Sequence, residues 1–420
     1  MLGAMKASII AIGNEILVGQ VQDTNSHWIA GRLRAVGVTL TNIYAIADTE
    51  RAILETLSLV EGRNDIVIMT GGLGPTSDDI TRKVLAVYFN TELVFSEEVR
   101  GDIEAFLQRR GRSDVSRANL TQAYVLKDAT VLRNPIGTAP GSWIERNGTV
   151  FVSLPGVPFE MKELMSSTVI PEIKRRFTLP SIYQRTVLTH GIAESDLAEM
   201  IAKWEAGLGD ISLAYLPSPG LVRLRLTKVD AFHPAAKDSV EHAIDSLRPL
   251  LGNAIFGYDD DAMEQVVGEL LIRKGWTCAT AESCTGGAIA ARITRISGAS
   301  AYFNGGVVAY SNEVKVKILG VPQSVLDAHG AVSYEVVEIM ARNVLDVMGA
   351  DCSIAVSGIA GPKGGTPEKP VGLVWIAAAC RNRVISQSFE FGERRDTNIE
   401  RSSMCGLNML RKLLIEEIGD

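Results

Sequence analysis

The sequence predicts an α/β protein, two α/β sandwich domains joined by a small α+β module, and three observations lead there. Short apolar runs alternate with helix-period segments in the first and last parts of the chain, and glycine-rich turns follow the apolar runs. Between these parts lies a segment in which apolar and charged positions alternate, the pattern of strands with one buried face. The boundaries that result are 1–176, 180–257 and 258–420.

In the first domain, Ala7–Ile12, Asp65–Thr70 and Thr149–Leu154 read as buried strands, and Ser26–Val36, Glu50–Leu59 and Asp79–Tyr88 as helices. Pro180, after the basic run Lys174-Arg175-Arg176, marks a boundary. The middle module reads as strand Arg185–Thr189, helix Ser195–Trp204, strand Ile211–Tyr215, turn Pro217–Gly220, strand Val222–Thr227 and helix Ala235–Leu251. After Asp259-Asp260-Asp261 a third domain opens with helix Ala262–Arg273, strand Thr277–Ala281 and helix Gly286–Ile296.

A length of 420 residues exceeds what one core usually supports, and 46% hydrophobic with 22% charged residues describes a well-packed chain. The net charge of −7 and pI near 5.5 disfavour nucleic-acid backbone as a partner. No apolar run approaches the roughly 20 residues of a membrane span, and the start MLGAMKASIIAIG lacks a signal-peptide layout, so a cytoplasmic protein is expected. The five cysteines are odd in number without a CxxC pair, and the five histidines show no ligand spacing. Neither a disulfide framework, a zinc site nor a His-dependent triad is expected.

Two loops of the first domain invite a phosphate: Gly13–Gly19 after the first strand, and Thr70-Gly71-Gly72-Leu73-Gly74-Pro75-Thr76-Ser77-Asp78-Asp79 after another. Glycines permit close backbone approach, the following helix N-terminus offers unpaired N–H groups, and Asp78 and Asp79 suit a divalent metal. The plainer reading makes Thr76 or Ser77 a helix cap and the two acids complements to its dipole. The turns Asn134–Gly141 and Pro155–Pro158 read either as further ligand loops or as tight turns.

In the third domain, Ala281-Glu282-Ser283-Cys284-Thr285-Gly286-Gly287 lies between a strand and a helix, which presents Ser283 beside free N–H groups suited to acyl chemistry, or simply as a cap. Tyr310-Ser311-Asn312-Glu313-Val314-Lys315 joins a strand to a helix capped by Ser311 or Asn312. Lys315 near that helix start is either a base of depressed pKa or an ordinary solvated lysine. Ser357-Gly358-Ile359-Ala360-Gly361-Pro362-Lys363-Gly364-Gly365, followed by Lys369, is a glycine-dense loop with two lysines able to meet a phosphate or carbonyl oxygen.

These motifs carry a resemblance. Ile9–Met161, with IGNEILVG, DTN, TGGLGPTSDD, NPIGTAPG and LPGVPFEM in order, resembles the molybdopterin-binding-like domain of CinA (competence/damage-inducible) proteins. AESCTGG, AYSNEVK, AHGAVS and VSGIAGPKGGTPEKPVG resemble the CinA C-terminal domain, a nicotinamide mononucleotide deamidase, over nearly all of Met263–Leu414. The middle module resembles the family's KH-like domain but lacks the GxxG that clamps nucleic acid, and reads as a spacer or oligomerisation element.

The resemblance implies Ser283 as nucleophile, with Lys315 and Tyr310 as activating and proton-transfer partners. It implies substrate contacts from Cys284, Thr285, Gly286, Gly358, Ile359, Ala360, Gly361, Lys369 and Arg394, with no cofactor. At the N-terminal site it implies metal-dependent ADP-ribose pyrophosphatase activity. There the nucleotide would contact Asn14, Glu15, Asn25, Gly71, Gly72, Gly74, Thr76, Asp78, Gly137, Thr138, Pro155 and Gly156, with the divalent metal on Asp78 and Asp79. Two departures are Leu126, where relatives usually carry proline, and Glu400, where they generally show arginine. The alternatives are an enzyme with one live site, or a non-catalytic binding protein of competence or DNA-damage machinery. A homodimer is expected, since symmetric association is common among soluble enzymes.

Overall fold

The computed structural model describes residues 5–76, 79–111, 116–230, 233–381 and 383–418. The chain divides into two compact units, Met1–Tyr183 with Val229–Ala236, and Gln184–Lys228 with Lys237–Asp420. The fold is mixed α/β.

The first unit holds β1 (Lys6–Ile12), β2 (Thr39–Ile46), β3 (Ile66–Thr70), β4 (Leu93–Phe95), β5 (Tyr124–Leu126), β6 (Thr130–Leu132), β7 (Gly141–Arg146) and β8 (Thr149–Leu154). Six of them form one sheet in the order β2-β1-β3-β8-β7-β6, parallel from β2 to β8 and antiparallel at β7 and β6. Because helices cover both faces, β1 is apolar at consecutive positions: Ile9 packs with Ile29 and Leu33, and Ile10 with Ile53 and Leu57 on the other face. The chain leaves β1 toward β2 on one side and returns to β3 on the other, so the carboxyl ends of β1 and β3 flank a topological switch point.

The middle segment contributes β9 (Ser181–His190), β10 (Ser212–Ser218), β11 (Leu221–Asp230) and β12 (Ile255–Tyr258), a four-stranded sheet ordered β10-β11-β9-β12. In β11 Val222, Leu224 and Leu226 are buried while the intervening Arg223 is exposed, as the alternation predicts. The predicted turn at Pro217–Gly220 shrinks, because Pro217 and Ser218 still pair with Val222 and Leu221.

The last sheet is β14-β13-β15-β16-β17, from β13 (Cys278–Glu282), β14 (Phe303–Val308), β15 (Cys352–Gly358), β16 (Leu373–Cys380) and β17 (Arg383–Glu390). β13 lies parallel between β14 and β15, which makes a second switch point, and β16 and β17 continue antiparallel. Helix Arg395–Ile418 packs on one face and Tyr334–Met348 on the other. The cysteine reading needs one correction: Cys352 and Cys380 stand opposite each other in the β15–β16 register, Cα atoms 4.1 Å apart, and are joined as a disulfide. Their 28-residue separation gives no local sign of that pairing. Among the described residues no helix is long and apolar enough to cross a membrane.

Candidate active site

At the second switch point, β13 runs out at Glu282 into the turn carrying Ser283. The Ser283 N–H donates to the Val356 carbonyl at 2.9 Å, which keeps the serine in line with the sheet. Gly286 and Gly287 take φ of +63° and +97°, a backbone region that other residues seldom adopt, and the chain thereby turns into helix Ala288–Thr294. Glu282, fully buried, holds the turn by accepting the N–H groups of Gly287 (3.1 Å), Ile289 (3.0 Å) and Ala290 (2.8 Å). The N–H groups of Cys284 and Thr285 have no acceptor on another described residue. They are left available to an oxyanion.

Lys315 enters from the next strand end. Ser311 caps helix Asn312–Lys317 by accepting the Val314 N–H, and the lysine side chain turns inward until only 1% of the residue is exposed. Its Nζ donates to Ser283 Oγ at 3.2 Å and to the Ala309 carbonyl at 2.8 Å, and no carboxylate pairs with it among the described residues. Burial therefore holds its pKa below the ordinary lysine value, with Cys284 acting in the opposite sense. Cys284 is itself pushed up to about 12 by burial, which leaves it a protonated thiol beside the serine.

These groups open into a cavity of about 280 Å³ that is also lined by Tyr310, Val332, Gly358–Gly361 and Arg395. Tyr310 is 61% exposed, and its hydroxyl accepts from Arg395 Nη2 at 3.1 Å. Arg395 Nη1 donates to the Gly361 carbonyl at 3.1 Å, and buried Asn398 donates to Ala360 O (3.0 Å) and Gly392 O (2.7 Å). The start of the C-terminal helix thus fixes the glycine loop that forms the far wall.

The first switch point carries a second cavity, of about 410 Å³, bordered by the loops after β1 and β3. Gly71 has φ +114°, and a side chain there would overlap the Ile12 carbonyl, so glycine is required. Asn25 ties the loops together, its Nδ2 donating to Thr70 Oγ1 (3.1 Å) and Gly156 O (2.8 Å), while Thr70 donates to Pro155 O (2.9 Å). Glu15, Asp23, Asp48 and Asp79 bring carboxylates to its lining, a donor set suited to a hard divalent cation. Among the described residues no three potential ligands converge on one point.

Over its whole length the chain resembles proteins of one kind. It is 45% identical over 411 residues, 98% of each chain, to a CinA-like protein of Cytophaga hutchinsonii. It is 40% identical over 411 residues, 98% of this chain and 100% of the other, to a putative competence-damage inducible protein of Caldicellulosiruptor saccharolyticus. The chain belongs to the CinA family. Residues 8–175 match the family described as a probable molybdopterin binding domain, 184–257 the damage-inducible protein CinA KH domain, and 260–414 the CinA C-terminal domain. Among solved structures, the competence/damage inducible protein CihA from Agrobacterium tumefaciens is 38% identical, covering 36% of this chain and 96% of that one, with a TM-score of 0.35.

In this CinA chain, Ser283, Cys284, Tyr310, Lys315 and Gly358–Gly361 line one cavity. Thr285 and Gly286 do not line it: Gly286 is exposed, and the buried Thr285 hydroxyl has no partner among the described residues. Lys369 is withdrawn: its ammonium donates to the His329 (2.6 Å) and Val332 (2.8 Å) carbonyls and fastens the Ala328–Ser333 turn. Arg394 is exposed outside the cavity, and Arg395, one position on, occupies it instead. Glu400 is not a defect in an arginine site, since it pairs with Arg292, which also meets Glu264 at 3.3 Å.

At the other site Glu15, Asn25, Gly71, Gly72, Gly74, Asp79 and Gly156 line the cavity. Asn14 lies aside with Oδ1 accepting the Asp48 N–H at 3.4 Å, and Pro155 serves as a carbonyl acceptor. Gly137 and Thr138 belong to a separate turn, in which Asn134 donates to buried Glu160 at 2.6 Å. Thr76 donates its N–H at 2.9 Å and its hydroxyl to Asp79, so this acid closes a turn ahead of helix Thr81–Phe89. Asp78 lies outside the described residues.

Proposed function

We propose that the C-terminal site hydrolyses nicotinamide mononucleotide to nicotinate mononucleotide and ammonia. The observation that carries this reading is the buried Lys315, within hydrogen-bond reach of Ser283 and without a carboxylate to hold its proton. A neutral Nζ takes the Ser283 proton as Oγ adds to the carboxamide carbon. The oxyanion that forms is met by the N–H groups of Cys284 and Thr285, and Lys315 returns the proton to the departing ammonia. Water then adds to the ester, giving its proton to Lys315, and Ser283 leaves with that proton while nicotinate mononucleotide is released. Arg395 and Tyr310, at the cavity mouth, suit the substrate phosphate. No cofactor enters this cycle.

At the N-terminal site the same reading assigns hydrolysis of the pyrophosphate of ADP-ribose. The glycine backbone at Gly71, Gly72 and Gly74 would approach the phosphates, and Asp79, with Asp78, would hold a divalent metal there. Such a metal supplies charge neutralisation at the phosphate oxygens. The protein would act in the cytoplasm as a homodimer on small nucleotides, without nucleic acid or membrane as partner. The test is turnover by the purified chain: ammonia from nicotinamide mononucleotide in the presence of chelator, and products from ADP-ribose with and without magnesium. Turnover of neither substrate by folded protein rejects the enzymatic reading in favour of a binding protein.

A further inference from the structure

The second compact unit contains another cavity, of about 400 Å³, that shares no lining residue with the Ser283 pocket. This volume falls within the roughly 300–1,000 Å³ of small-molecule sites. It lies where β9 ends at His190, ahead of helix Glu194–Ala206, and its far wall comes from the end of β17, the residue after it and the C-terminal helix.

Polar groups of this wall lack partners. His190 is 5% exposed, and its Nδ1 has no hydrogen-bond partner among the described residues. Leaving such a group unpaired costs about 1–3 kcal/mol. Its Nε2 faces Cys405 Sγ at 4.0 Å. Burial pushes the Cys405 thiol up to about 12 and the His190 imidazole down to about 4, so a protonated thiol faces a neutral ring. It is Nε2 that lies on the cavity side, beside Gly220 and the Arg401 stem, and in the Nε2–H tautomer the neutral ring donates there. Arg401, its stem against Gly220, pairs with no carboxylate or carbonyl among the described residues. Helix Glu194–Ala206 begins at Ala193 without a side-chain cap, adding N–H donors at the same end. The apolar part is aromatic: Phe389 and Phe391 stack with centroids 5.5 Å apart and planes inclined by 8°.

We propose that this cavity binds a small aromatic monocarboxylate, its ring against the Phe389–Phe391 pair and its carboxylate on Arg401 and His190. Two converging donors and an apolar wall match one face of such a ligand each. Glu194 also lines the cavity, and its charge disfavours a second negative charge, which selects a monoanion over a phosphate dianion. The inference does not depend on the activity of the Ser283 site.

The test is calorimetric titration of the full chain with benzoate, with benzamide, acetate and inorganic phosphate as comparison ligands. Benzoate should bind saturably at one site per chain. Benzamide and acetate should bind roughly tenfold or more weakly, and phosphate should not compete. Arg401→Gln should weaken benzoate by roughly tenfold or more, and Phe391→Leu serves as a second variant that retains the charge. Arg395→Gln, in the other pocket, should leave benzoate binding unchanged. Absent saturation, equal binding by phosphate, or loss in Arg395→Gln with retention in Arg401→Gln each overturn the proposal.

Discussion

Replacing Glu282 by glutamine keeps the shape of the side chain and removes one acceptor from a group that serves three donors. Oε2 takes the N–H groups of Gly287 and Ile289, and Oε1 takes that of Ala290 at 2.8 Å. A glutamine whose oxygen stays on the first two must set its NH2 group against the Ala290 N–H, leaving a buried donor unpaired at about 1–3 kcal/mol. The two remaining bonds lose their charge assistance, about 1 kcal/mol each, while the neutral amide is cheaper to bury. The net destabilisation is about 2–4 kcal/mol, read by denaturant unfolding at neutral pH. Because the same turn presents Ser283 to Lys315, turnover should fall as well. An unfolding free energy within about 0.5 kcal/mol of wild type, the scale of an ordinary surface substitution, would refute the role given to Glu282.

Two pH effects follow. If neutral Lys315 is the base, kcat/KM rises as it loses its proton, with the acid limb centred below the ordinary lysine value of 10.5 because burial disfavours the ammonium. A profile flat across that limb, or an active Lys315→Arg variant, contradicts this. His190 faces Arg401 and Cys405, with Arg411 and Lys412 also opposing its charge, and burial lowers its pKa from 6.5 to about 4. The stability conferred by the neutral ring is complete above the unfolded pKa and is lost as pH falls from 6.5 toward 4, by about 3 kcal/mol in all. Unfolding of His190→Gln should lack this component, and an identical pH slope in the variant would dismiss it.

The layered fold was legible because strands covered on both faces must be apolar at consecutive positions, as Ile9 and Ile10 are. The location of the sites was legible for a related reason, since glycine loops after strands collect at switch points. What stayed hidden depends on contacts distant in sequence or on one-residue phase. Glu282 at the end of an apolar run carries no local sign that three N–H groups await it. Glu393-Arg394-Arg395 offers two arginines, and only the helix start at Arg395 decides which one points into the cavity. Lys369 looks like a phosphate ligand in a glycine loop until the Ala328–Ser333 turn is folded beneath it. The helix expected from Asp79 starts at Thr81, because Asp79 satisfies Thr76 first. The pairing of Cys352 with Cys380 arises from strand register alone.

The account rests most heavily on Ser283 and Lys315 acting as one catalytic unit, and the most direct test is ammonia release from nicotinamide mononucleotide by wild type, Ser283→Ala, Lys315→Ala and the double variant. Residues that act as a unit are non-additive, so each single variant should lose on the order of 10³-fold or more in kcat, with the double variant scarcely worse. Retention of wild-type kcat by folded Ser283→Ala or Lys315→Ala, or losses that multiply in the double variant, would contradict it.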